Sequence, residues 1–125
     1  NALSHIMALY TNSTNWMDMR LCAAVGTFTH AAGGESGGSS AFTLTGAGSA
    51  VVTKMALAVA TNDVAFSQAG AAVVTDASFT IPATGTTFAI GRDRTGAAGY
   101  FNGYIKRLAY LNSRLSNAGL IALTG

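Results

Sequence analysis

The charged run at residues 92–94, Arg-Asp-Arg, holds three of the twelve charged residues of the chain, which has seven basic and five acidic residues in all. Guanidinium groups bind carboxylates through paired hydrogen bonds, and aromatic rings offer an apolar face with a polar edge. A loop cluster of this kind is suited to a sugar or a carboxylated glycan. The alternative is a solvated loop in which the acid neutralises two bases. The predicted ligand-binding residues are Trp16, Arg92, Asp93, Arg94, Tyr100 and Asn102.

A second pattern, residues 34–38 with the sequence Gly-Glu-Ser-Gly-Gly, matches the G-x-S-x-G nucleophile elbow and resembles the serine run of trypsin-like proteases. The elbow requires a buried strand before it, a helix after it and a histidine downstream. Apart from His5 in the tag-like start of the chain, the only histidine is His30, which precedes the serine by six residues. We therefore interpret residues 31–40 as a hairpin tip or loop and predict no catalytic residue.

The carboxyl groups do not predict a glycosidase. Such an enzyme normally needs two carboxyl groups that flank the scissile bond. No two of the five acids are close in the sequence, although distant residues can converge in space. Glycoside hydrolysis is therefore the least favoured function. The acids are Asp18, Glu35, Asp63, Asp76 and Asp93.

No metal or other cofactor is predicted. The best local set of oxygen ligands is Asn62 with Asp63, which also fits a tight turn. Cys22 and His30 lack partners at zinc-site spacing. Cys22 is the only cysteine, so the chain contains no internal disulfide, and its apolar neighbours favour a small buried side chain.

Composition excludes two classes of partner. The net charge of +2 is far below the dense basic stripe that phosphate binding requires, so nucleic acid is not predicted. No stretch reads as a membrane span, because the longest uncharged run, residues 36–53, is rich in Gly, Ser and Thr. The sequence does not fix a location.

The first seven residues, Asn-Ala-Leu-Ser-His-Ile-Met, look like a protease-cleavage and cloning scar and are set apart as residues 1–7. The remaining residues, 8–125, are predicted to form one domain, since a chain of this length buries roughly two thirds of its extended surface.

Short apolar runs alternate with turn residues at intervals of about ten residues, which predicts an all-β, antiparallel fold. Only the end of the chain has a helical period. The predicted strands are 8–10, 16–25, 40–45, 51–60, 64–68, 71–75, 88–91 and 104–111.

Two turns define a meander in the middle of the chain. Asn62-Asp63 favours a left-handed turn between residues 51–60 and 64–68, and Ala69-Gly70 reverses the chain again. In the first of these strands Met55, Leu57 and Val59 share one face, which we expect to be core. The opposite face carries alanines, and we expect it to be exposed rather than closely packed.

Residues 100–123 combine a turn, a strand and a helix. Asn102-Gly103 is a turn dipeptide, and residues 104–111 are rich in β-formers, which predicts a strand that closes a sheet. Ser116 is a predicted helix cap. The helix should bury one face with Ala118, Leu120, Ile121 and Leu123, and Gly119 should keep it short or frayed because a mid-helix glycine costs about 1 kcal/mol.

From Lys54 onward the chain resembles a concanavalin A-like, laminin G-like β-sandwich of the kind found in bacteriophage tail and virion-associated proteins. Residues 55–70, MALAVATNDVAFSQAG, are similar to the strand, turn and S-x-N-G hairpin of that family, with Ala69-Gly70 in place of Asn-Gly. Ile90-Gly91 resembles a later strand end. The pattern that ends the fold in that family is F-x-G-x-I, then an aliphatic-x-aromatic pair, then R-x-L-S and a helix. The residues here that resemble it are Phe101, Gly103, Ile105, Leu108, Tyr110, Leu115 and Ser116.

The resemblance implies a concanavalin A-like jelly roll with a short C-terminal helix and a trimmed N-terminal edge, because the family usually has further strands upstream. An exposed sheet edge or face, with only 10% charged residues, predicts a homo-oligomer. The implied function is a non-catalytic module that recognises a glycan or surface polymer. The alternative is a purely structural module that binds copies of itself or a neighbouring subunit.

Overall fold

The computed structural model describes residues 3–11, 16–22, 28–34, 42–47, 54–79, 81, 85–92 and 99–125. These residues form two antiparallel sheets and one short C-terminal helix, so the fold class is all-β as predicted. The elements are β1 (Leu3–Tyr10), β2 (Trp16–Cys22), β3 (Phe28–Gly34), β4 (Phe42–Ala47), β5 (Met55–Ala60), β6 (Asp63–Gln68), β7 (Val74–Asp76), β8 (Thr87–Ile90) and α1 (Asn117–Thr124).

The larger sheet has the strand order β4-β3-β2-β1-β8. β1 is an inner strand, because it pairs with β2 on one side and with β8 on the other. Residues 3–7, which the sequence set apart, lie within this strand. The register between β1 and β2 shifts between His5 and Met7, which marks a bulge. The edges of this sheet are therefore β4 and β8, and neither is the first strand of the chain.

The smaller sheet has the order β5-β6-β7 and confirms the predicted meander. The first turn lies one residue earlier than predicted, since Ala60 pairs with Asp63 and the left-handed residue is Asn62, with a φ of 56°. The second turn is at Ala69-Gly70, where φ is 50° and 72°. Two successive left-handed residues are the geometry of a type I′ turn, whose twist matches that of the flanking strands.

One cluster of apolar side chains joins the two sheets. Met19 of β2 packs with Val64 and Phe66 of β6 and with Phe79, and all four are buried. Partly buried residues on both sheets surround them: Met7, Met17, Met55, Leu57 and Val59. The predicted core face of β5 is thus confirmed. Because side chains alternate along a strand, the other face of β5 must meet something else.

That other face is covered by α1, so its predicted exposure is wrong. Ala56 and Ala58 of β5 and Ala65 of β6 are buried against Leu120 of the helix. A side chain as small as alanine lets a helix backbone lie close to the sheet, which is the physical reason for the correction.

Polar contacts fix both ends of α1. Ser116 Oγ accepts a hydrogen bond from Gly119 N at 3.1 Å, which confirms the predicted cap. Thr124 Oγ1 lies 2.9 Å from Ser67 Oγ and accepts from Gly70 N at 3.1 Å. The helix has eight residues and is short, as predicted. Its predicted apolar face is only partly right, because Leu120 and Thr124 are buried whereas Ala118 and Leu123 are exposed.

Two further predictions are wrong. Residues 104–111 do not form a strand, and none of them pairs with a described strand. Conversely, Phe28–Gly34 is a strand that the sequence did not predict, so residues 31–34 are not part of a loop. Pairing with β2 and β4 on its two sides holds this Gly- and Ala-rich segment extended in spite of its low β-propensity. Residues 35–40 lie outside the described residues.

Candidate interaction surface

A loop cluster forms where β8 ends. Gly91 N donates to Ile6 O at 2.9 Å, and Phe101 N donates to Gly91 O at 2.9 Å. These two bonds hold residues 99–102 beside the end of β8, and His5 N strengthens the junction by donating to Gly99 O. Three of the predicted ligand-binding residues, Arg92, Tyr100 and Asn102, are therefore neighbours, and all three are exposed.

Trp16 does not belong to this cluster. It pairs with Tyr10 at the far end of β1, and Tyr10 in turn pairs with Thr87 at the start of β8. Trp16 lies on β2, two strands away from β8, and at least three residues away from Arg92 along the strand direction. These two displacements correspond to roughly 14 Å or more between their backbones. Trp16 is therefore not part of the loop cluster. Asp93 and Arg94 lie outside the described residues.

Among the residues whose exposure the structure describes, the largest exposed apolar stretch begins two residues after Asn102. Every residue from 104 to 111, Tyr-Ile-Lys-Arg-Leu-Ala-Tyr-Leu, is exposed, and five of the eight are large and apolar. Tyr104 and Tyr110 are 97% and 84% exposed. Within the described part of the chain, no backbone group of residues 104–111 takes part in a hydrogen bond. We call residues 104–111 the open segment.

Both ends of the open segment are fixed to the folded domain. Upstream, Phe101 is bound to Gly91 at the end of β8. Downstream, Arg114 Nη2 lies 2.6 Å from Asp63 Oδ1 at the start of β6 and donates to Asn117 Oδ1 at 2.9 Å. Leu115 then packs beside the cluster under α1. The open segment thus crosses from one sheet to the other and is not a frayed chain end.

The edge strand β8 adds a second apolar surface. Phe88 and Ile90 pair with Leu9 and Met7, so they continue the inner face of the large sheet. They are nevertheless 49% and 52% exposed, and β8 pairs with no described strand on its outer side. An edge of this kind, without a charged or proline residue in β8, is a template for further pairing.

The sequence did not reveal a buried contact between a histidine and an aspartate in the large sheet. His5 Nε2 lies 3.3 Å from Asp18 Oδ2, and both side chains are nearly inaccessible to solvent. Ala8 pairs with Asp18, which places both groups on the face opposite the methionine cluster. Residues 1–7 had been set aside, so the sequence offered no partner for Asp18. The alternation of Met17, Asp18, Met19 and Arg20 is that of a strand with one polar, solvent-facing side, so no sequence signal indicated that Asp18 is buried.

The described carboxyl groups do not converge on a catalytic pair. Asp18 is buried with His5, and Asp63 is bound to Arg114. Asp76 accepts from both the backbone and the hydroxyl of Ser78 at 2.8 Å. Asp76 pairs with Val64 and shares its face, whereas Asp63 precedes Val64 and faces the other way. Glu35 and Asp93 lie outside the described residues.

The described residues hold neither a side-chain cluster suited to a metal ion nor a helix that could cross a membrane. No group of three or more His, Cys, Asp or Glu side chains is close enough to hold a metal ion among the described residues. The single described helix, α1, is too short to cross a bilayer. The side chains of Cys22 and His30 lie outside the described part of the structure.

Comparisons with known proteins give no match. No protein-family model matches the chain, and neither the curated proteins nor the solved structures searched contain one that does.

Proposed function

We propose that this domain is a non-catalytic structural module that assembles with further protein chains, copies of itself first. The observation that carries the proposal is the open segment, because its eight exposed residues combine apolar side chains with free backbone donors and acceptors. A peptide segment with both properties can pair by strand addition, in which main-chain hydrogen bonds supply affinity and alternate side chains supply specificity.

A concanavalin A-like, laminin G-like architecture fits this role. Two antiparallel sheets that share a core support it, as does the C-terminal sequence that resembles virion-associated modules. In such a setting the domain would act in a virion or outside the cell. Function within this architecture depends on the surface groups and not on the fold, since the same fold serves enzymes, lectins and structural proteins.

Sedimentation velocity over protein concentrations from micromolar to about 100 micromolar tests the proposal. We expect concentration-dependent association that is lost in the double variant Tyr104→Ser/Tyr110→Ser, because these side chains are the most exposed aromatic groups of the open segment. The matched control is Tyr100→Ser, which removes an exposed tyrosine outside the segment. A wild-type chain that stays monomeric throughout would refute the assembly role.

A second candidate function is glycan recognition by the loop cluster. The observation in its favour is that Arg92, Tyr100 and Asn102 are exposed neighbours with a guanidinium, an aromatic ring and an amide to offer. A glycan array tests it: specific binding that is lost in Arg92→Ala and retained in Tyr104→Ser/Tyr110→Ser would favour recognition. An array without signal, from a chain that self-associates, would leave assembly as the sole proposal.

A further inference from the structure

We infer that the partner of the open segment is the open segment of a second copy, paired antiparallel about a two-fold axis at Leu108. This inference rests on the proposed assembly role and specifies its contact. An isologous contact uses one patch twice, so the patch must be complementary to itself. The sequence of the open segment meets that requirement in one register.

Symmetry restricts the possible registers. Two identical antiparallel strands in one sheet are related by an axis normal to the sheet, so a residue and its opposite number lie on the same face. The axis must then pass through a residue and not between two residues. Near the middle of the open segment the choices are Arg107 and Leu108.

The charges decide between these two choices. An axis at Arg107 places that guanidinium opposite its own copy, and like charges directly opposite one another destabilise a strand pair. An axis at Leu108 places Leu108 opposite itself, Ile105 opposite Leu111 and Arg107 opposite Ala109. Lys106 then lies opposite Tyr110, where an ammonium can contact an aromatic face. No like charges face each other in this register.

The open segment presents apolar side chains that pairing would partly cover. The exposed parts of Tyr104, Ile105, Leu108, Tyr110 and Leu111 amount to on the order of 600 Å² in each copy, since an aromatic side chain contributes roughly 150–250 Å². Two copies present on the order of 1,200 Å² of this surface, of which pairing buries a part, because Tyr104, Leu108 and Tyr110 share one face of the strand and Ile105 and Leu111 the other. The fixed ends of the segment reduce the conformational entropy that pairing must overcome.

A cysteine at the axis gives a direct test. Antiparallel opposite residues have Cα atoms about 4.5–5.5 Å apart, within the range of about 4.4–6.8 Å that a disulfide spans. Leu108→Cys should therefore form a disulfide-linked dimer under mild oxidation. Ala109→Cys is the matched control, because its nearest copy is about 8 Å away, beyond the reach of a disulfide. Wild-type protein controls for Cys22, and peptide mapping locates the bond.

We expect linkage of Leu108→Cys to be at least about tenfold faster than linkage of Ala109→Cys. Equal rates, or a bond that involves Cys22, would overturn the Leu108 register. If wild-type chains associate but Leu108→Cys does not form the disulfide, this inference is overturned and the assembly role stands. If wild-type chains are monomeric, both are refuted. Slow amide exchange across residues 104–111 in a monomer would mean that the segment pairs within its own chain, and would also overturn the inference.

Discussion

Two glycines in this domain allow the effect of backbone conformation on stability to be separated from the effect of steric crowding. Gly70 and Gly91 have the same φ of 72°, a region that costs an L-residue about 1 kcal/mol or more. A Cβ on Gly70 would lie 3.1 Å from Gly125 Cα, whereas a Cβ on Gly91 would meet nothing within 4 Å. The two glycines therefore form a matched pair.

We predict that Gly70→Ala destabilises the domain more than Gly91→Ala. The second change should cost about 1 kcal/mol, from backbone strain alone. The first should cost roughly 1–2 kcal/mol more, because its Cβ also crowds Gly125, the residue that caps the C-terminal end of α1. Urea denaturation of both variants measures the difference, and equal losses would show that α1 does not press on this turn.

A buried histidine–aspartate contact and an exposed ion pair allow a second comparison between residues. Asp18 and His5 are almost inaccessible to solvent, whereas the Asp63 side chain is 53% exposed where it meets Arg114. Removing Asp18 leaves the buried His5 imidazole without its polar partner, at a cost of roughly 1–3 kcal/mol. Exposed pairs contribute about 0–1 kcal/mol.

We therefore predict a large stability loss for Asp18→Ala and a small one for Asp63→Ala, measured by thermal and urea denaturation. The comparison also tests whether residues 3–7 belong to the folded domain, since His5 is one of them. A loss below about 1 kcal/mol for Asp18→Ala would indicate that this pair is solvated in solution.

At the scale of elements, local chemistry was readable from the sequence and long-range partners were not. The Ala69-Gly70 turn and the Ser116 cap depend on a few neighbouring residues, and both were predicted. The alternation in β5 showed two faces, but it could not say that α1 covers the alanine face. The missed strand β3 depends on its neighbours β2 and β4 in the same way.

The contact between α1 and the alanine face of β5 and β6 gives a prediction at this scale. Leu120 is buried among alanines of β5 and β6, whereas Leu123, on the same helix, is 53% exposed. We predict that Leu120→Ala costs about 2–4 kcal/mol through lost burial and a cavity. Leu123→Ala should change stability by less than about 0.5 kcal/mol. Similar effects of the two changes on urea midpoints would contradict the placement of α1 on this sheet.

Among the predicted ligand-binding residues, the ones that the structure brings together are those already close to one another along the chain or joined by a nearby loop contact. Arg92 and Tyr100 follow one strand and are held by the bond from Phe101 to Gly91, whereas Trp16 depends on sheet order and lies elsewhere. The β-forming residues at 104–111 indicated a strand, but β-propensity is a conformational preference and does not identify a pairing partner. Lys106 and Arg107 are adjacent, so a strand here would carry a charge on each face, a signal against burial of either face.

At the scale of the whole molecule, residues 104–111 were predicted to form a strand that closes a sheet, whereas in the structure they pair with no described strand. A proline distinguishes the two arrangements, because it removes a backbone donor and is excluded from the interior of a sheet. If residues 104–111 pair within the domain, Ala109→Pro should cost about 3 kcal/mol or more, as the same change should at Ala65 of the central strand β6.

In the structure Ala109 is exposed and its backbone forms no hydrogen bond within the described chain, so we predict that Ala109→Pro leaves the unfolding free energy of the monomer within about 0.5 kcal/mol of wild type. The same change should weaken self-association at least about tenfold, because the paired segment would lose a ladder hydrogen bond and meet a ring. Ala65→Pro should unfold the domain. Urea denaturation at low concentration and sedimentation at high concentration separate the two effects, and a variant that loses stability without losing association would mean that the open segment is a structural strand of the monomer and not its contact surface.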